Sequence, residues 1–159
     1  MTAEKTEKYL INNRTMLIEP YRDIQYRSII RESERFIYCE QTPAEIVSFS
    51  CLENGASFDG KRKASEYITK RKALLPTPID PYNGIILIPT KRLKDPDCEW
   101  ISYCHVKNIK PSKKGKGYCE IIFSNDTKAE FSISVAKMRN QVMIAAHILG
   151  HFIKQKYIS

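Results

Sequence analysis

Val135-Ala136-Lys137-Met138-Arg139-Asn140-Gln141-Val142-Met143-Ile144-Ala145-Ala146-His147-Ile148-Leu149-Gly150-His151-Phe152-Ile153-Lys154-Gln155-Lys156 is the stretch whose reading decides the fold. Val135, Met138, Val142, Ala145, Leu149 and Phe152 recur at spacings of three and four, which lays one apolar stripe along a helix. A stripe of that kind needs a surface to cover it. A sheet of the same chain is the expected cover, in preference to a second copy meeting the stripe as a coiled-coil seam.

Working back from this helix, the chain supplies the strands. Tyr118 to Phe123 and Ala129 to Ile133 flank Ser124-Asn125-Asp126-Thr127-Lys128, a hairpin signature. Lys110 to Gly117, rich in lysine and glycine, is expected to be a mobile loop. Trp100 to Val106 reads as one strand with Trp100, Ser102, Cys104 and Val106 on one face, and Trp100 as a core anchor. Ile85-Ile86-Leu87-Ile88 is a buried strand closed by Pro89, and Pro76, Pro78 and Pro81 before it enforce an extended connector. In the first quarter, Tyr9 to Ile18 is β-like, broken at the Asn12-Asn13 turn and ended by Pro20. Ile24 to Ile30 and Phe36 to Cys39 complete two antiparallel hairpins, and residues 1–6 are expected to fray.

Two short helices lie between. Thr42-Pro43-Ala44-Glu45 is a capping box with proline at the first helical position, opening a helix that runs to about Glu53 and stops at Asn54-Gly55. A second runs from Phe58 or Gly60 to Thr69. The expected architecture is α+β in a single domain over residues 1–159: a mostly antiparallel sheet, two short central helices, and a long C-terminal amphipathic helix packed on the sheet.

The chain of 159 residues carries a formal net charge of +8, which points to a polyanion as partner. No apolar run is long enough to span a bilayer, and the charged N-terminus lacks the apolar core of a signal peptide, so a soluble, cytoplasmic protein is expected. Five cysteines, at 39, 51, 98, 104 and 119, include no C-x-x-C pair and read as buried or half-buried free thiols. His147 and His151 share a helix face, but Ile148 stands where a zincin has glutamate, so neither metal nor cofactor is expected. Cys104 and His105 are strand neighbours whose side chains should point to opposite faces, which excludes a nucleophile–base pair. Gly55-Ala56-Ser57-Phe58-Asp59-Gly60 misses the spacing of a nucleophile elbow, and Gly60-Lys61 lacks the rest of a phosphate-binding loop. The chain does not read as an enzyme.

The strongest functional signal is Gly60 to Lys72, with six cations and one carboxylate, Glu66. Lys61, Arg62 and Lys63 form one triplet, and Lys70, Arg71 and Lys72 the other. On one continuous helix the triplets would stand about 13 Å apart, within reach of phosphates on one face of a duplex. Lys91 and Arg92, after the Pro89-Thr90 strand end, form a further basic patch. Charge alone supports only a solvated surface; if the partner is DNA, the first triplet is the expected contact and the second an accessory.

Several segments together resemble the competence transcription factor ComK family of low-GC Gram-positive bacteria. One runs from Ile46-Val47 through Ser50-Cys51, Gly55, Ser57-Phe58 and Gly60-Lys61-Arg62 to Ser65 and Thr69. A second is Pro78-Ile79-Asp80-Pro81 to Ile88-Pro89-Thr90, and a third Cys98-Glu99-Trp100-Ile101-Ser102 with His105-Val106. Phe123-Ser124-Asn125 and Asn140-Gln141-Val142 follow in the same order, so the resemblance covers roughly residues 40 to 150. It implies a nucleoid-associated activator of competence genes, binding double-stranded DNA at paired A/T-rich promoter boxes as a homo-oligomer, largely through the minor groove. It also implies control by an adaptor of the MecA type and a Clp protease. Two departures stand out. Lys61-Arg62-Lys63 holds one more cation than that pattern, and the chain stops at Ser159 where better-known members continue, so tail-borne functions are not carried over. The alternatives to DNA binding are a module for acidic proteins or anionic lipid, shaped like a pleckstrin-homology domain, and a non-activating paralogue that pairs with a longer relative.

Overall fold

The structure, a computed structural model, describes residues 2–158. In chain order its elements are β1 (Thr2–Thr6), β2 (Thr15–Pro20), β3 (Ser28–Glu32), β4 (Arg35–Cys39), α1 (Pro43–Glu53), α2 (Phe58–Thr69), β5 (Thr77–Asp80), β6 (Ile85–Pro89), β7 (Trp100–Ser102), β8 (Val106–Pro111), β9 (Cys119–Phe123), β10 (Lys128–Phe131) and α3 (Val135–Ile158). Strands β1 to β7 form one sheet in the order β1-β4-β3-β2-β7-β6-β5, antiparallel at every pairing except β1 with β4. A second sheet orders β10-β9-β8. The architecture is α+β, mostly antiparallel.

Successive residues of a strand face opposite ways, and the central strands use both faces. Ile86, Ile88 and Ile101 join one core, while Ile85, Leu87 and Trp100 join the other. The small sheet and α3 cover the first face, contributing Phe123, Phe131, Met138, Ala145 and Ile148. Helix α1, through Ile46, Val47 and Cys51, and the segment carrying Tyr9 and Ile11 cover the second. All six residues of the apolar stripe on α3 lie in or against the first core, Met138 and Ala145 fully buried. Ile144 and Ile148 are buried beside them because a helix on a sheet buries a broader face than a coiled-coil seam.

Helix α1 forms as its sequence dictates. Thr42 Oγ1 accepts from the Glu45 amide at 3.2 Å, and the Glu45 carboxylate accepts from the Thr42 amide at 3.0 Å. Gly55, just past the end, takes φ of +95°, where a side chain would be strained.

Several sequence expectations are corrected. Thr2–Thr6 do not fray; they pair in parallel with β4, where Glu4 meets Arg35 and the Thr6 carbonyl accepts from the Glu40 amide at 3.1 Å. Those partners lie some thirty residues away, beyond any local pattern; Met1 lies outside the described residues. The strand expected from Ile24 begins only at Ser28, since the Asp23 carboxylate accepts from the amides of Gln25 and Tyr26 and turns the chain there. Pro78 sits inside a true strand, β5, at the rim of the sheet, where its missing donor is tolerated. The expected strand Trp100 to Val106 is interrupted by a 3-10 turn over Tyr103–His105, and the loop expected from Lys110 starts after Pro111.

Candidate nucleic-acid interface

Helix α2 is capped at its start by Ser57, whose hydroxyl accepts from the Gly60 amide at 3.0 Å. It ends at Lys70, which takes the left-handed conformation (φ 59°) and returns its amide to the Glu66 carbonyl. The helix therefore does not carry both triplets. Lys61, Arg62 and Lys63 ride its first turns, whereas Lys70 is the cap and Arg71 and Lys72 belong to the connector that follows.

The two triplets differ electrostatically. Arg62 donates to Asp59 at 2.6 Å and to Glu66 at 3.0 Å, and Lys63 stands 3.3 Å from Asp59. Hydrogen bonds from Arg62 and then Lys63 hold the Asp59 carboxyl below its ordinary range, so Asp59 stays ionised and matched. Lys61 Nζ reaches the Asn54 carbonyl at the end of α1, at 3.5 Å. The Lys70 ammonium stands 4.7 Å from the Tyr67 ring centroid, and Arg71 and Lys72 are exposed. Among the described residues, no carboxylate pairs with Lys70, Arg71, Lys72, Lys91 or Arg92.

Tertiary folding brings the three basic segments to one place. A cleft of about 630 Å³ takes Arg62 from α2, Lys72 from the connector, and Arg92 with Lys94 from the loop between β6 and β7. Its apolar wall is formed by Phe58, Leu75, Leu93 and Trp100, with the Phe58 and Trp100 rings edge to face at 6.2 Å. Trp100 is 1% exposed, as expected of a core anchor, and its indole Nε1 has no hydrogen-bond partner among the described residues. Lys63, Lys70, Arg71 and Lys91 are outside the lining. Lys94 and the aromatic wall were missed in the sequence; the run Lys91-Arg92-Leu93-Lys94 was the one local sign of the former.

Two other sequence expectations change near the sheets. Cys104 is exposed, whereas the other four cysteines are buried. Because a 3-10 turn replaces the strand here, strand alternation no longer sets Cys104 and His105 on opposite faces. Partial desolvation raises the Cys104 thiol, but the neighbouring His105 and Ser102 side chains outweigh it and leave the pKa lowered. The His105 ring is nonetheless occupied: Nδ1 meets Ser124 Oγ and Nε2 meets the Asn13 carbonyl, both at 2.6 Å. A ring tied at both nitrogens is a brace between segments and a poor general base. His147 Nε2 lies 3.4 Å from the Ile68 carbonyl, and among the described residues no group of three His, Cys, Asp or Glu is placed to hold a metal ion. No described helix is long and apolar enough to cross a membrane.

Comparison with known proteins bears on this site. The family described as ComK protein matches residues 6–157. A curated protein of Bacillus subtilis (strain 168), named competence transcription factor, is 33% identical over 152 residues, which is 95% of this chain and 78% of that protein. No solved structure matches.

Proposed function

The chain belongs to the ComK family, and on that premise we propose that it is a competence transcription factor that binds A/T-rich duplex DNA. The observation that supports this reading best is the convergence of Arg62, Lys72 and Arg92, from three separate basic segments, on one cleft with unpaired cations around it. A/T-rich minor grooves are narrow and strongly negative, and they draw in guanidinium groups without a base-by-base code. Arg71 and Arg92 are the groove residues in this reading, because neither has a carboxylate to give up. Arg62 would have to leave Asp59 and Glu66, and its part is to hold the helix start in place. The lysines contact phosphates and set the salt dependence. Paired boxes would be read by an oligomer, and the reading assigns the chain no catalysis.

The test is a titration of A/T-box duplexes and G/C-rich controls across salt. We expect tighter binding to the A/T boxes and a log–log salt slope that grows less steep by about one when Lys72 is changed to alanine, from roughly 0.9 per phosphate contact. Equal affinity for both duplexes, or no dependence on salt, overturns the reading.

A further inference from the structure

The cleft between α2 and the loop after β6 has a chemistry that phosphate contacts alone do not require. Backbone binding needs cations on a convex or grooved surface. Here the cations Lys72, Arg92 and Lys94 stand round an apolar recess of about 630 Å³, inside the range of small-molecule sites. Trp100 lies in its wall with its indole buried. Asp59, the one carboxylate among the described lining residues, is matched by Arg62 and Lys63 and so does not repel an anion.

From these features we infer that the cleft binds a free nucleoside phosphate. The heteroaromatic ring lies against Phe58 and Leu93, beside the buried Trp100. The phosphates meet Lys72, Arg92 and Lys94. Ring and charge are both needed: a bare polyphosphate leaves the apolar wall unmet, and a nucleoside leaves the cations unmet. The inference goes beyond DNA binding and stands without it, since the ligand is a free small molecule.

Trp100 is the sole tryptophan, so its emission reports the cleft directly. The full chain is titrated with ATP, GTP and UTP, and with adenosine and inorganic tripolyphosphate as the two half-ligands; adenosine also controls for light absorbed by the base. We expect a saturable change with at least one nucleotide, at least tenfold tighter than with either half-ligand. Arg92→Ala and Lys72→Ala, both at exposed positions, should each weaken it about tenfold, the worth of one charge-assisted hydrogen bond. Three outcomes overturn the inference. They are no saturable response to any nucleotide, tripolyphosphate binding as tightly as the nucleotides, or a response to duplex DNA alone. The last would give the recess to the DNA surface. Nucleotide binding by a chain that fails the duplex titration would keep this site and remove only the DNA reading.

Discussion

Glu99 is a single residue whose surroundings set a pH dependence. Burial, and then the neighbouring Glu19 carboxylate, push its pKa up to about 7, against partial relief from Lys91 and Arg31. Glu99 immediately precedes Trp100, and Trp100 pairs with Ile18, so Glu19 lies alongside. Between the ordinary carboxylate range and pH 7 the folded chain keeps a proton that the unfolded chain has released. Stability therefore falls as pH rises through this window and levels off above it. Glu99→Gln should melt above the parent at pH 8 by about 1–2 kcal/mol of stability, after allowing for solvent screening of a partly exposed group, and match it at pH 4. Denaturant unfolding at the two pH values checks this; an equal difference at both would remove the carboxylate as the cause. Nothing in the sequence marked this residue, since two glutamates eighty positions apart become neighbours only when β2 meets β7.

The helices show what was legible and why. Both ends of α1 could be read to the residue because capping is local: Thr42, Pro43, Glu45 and Gly55 act within one turn of themselves. Thr42→Ala should cost about 1 kcal/mol, read as a lower urea midpoint with unchanged slope, whereas Thr42→Ser should cost much less. A Thr42→Ala chain as stable as the parent would show that packing, not the cap, fixes the helix start. The stripe on α3 was legible for the same reason, as a periodicity within one element. The strand β1 and the 3-10 turn were not, because each is decided by partners distant in sequence. Pairing with β4 orders Thr2–Thr6, and the His105 bridge between Asn13 and Ser124 holds the turn. The site shows the same divide: basic triplets are visible in a line of sequence, but their meeting around Phe58 and Trp100 is a product of the fold.

At the scale of the molecule, two cores share one sheet, and α2 touches both beside the rim strand β5. Phe58 packs against the core that holds Trp100, and Ile68 against the core that holds α3. The two cores should therefore unfold as one. Tryptophan emission follows the first, whereas the far-ultraviolet helix signal draws about half its residues from α3 on the second; the two melting curves should superimpose, and separated midpoints would show that the layers melt independently. The rims of the large sheet carry a different consequence. At one end Pro78 offers no amide, and at the other β1 presents the charged side chains of Glu4 and Lys5. Either feature discourages a foreign strand from adding on. The large sheet thus resists extension at both of its ends. Strand-to-strand joining of two copies through this sheet is disfavoured, which leaves β8 and β10, the edges of the small sheet, as the remaining strand edges.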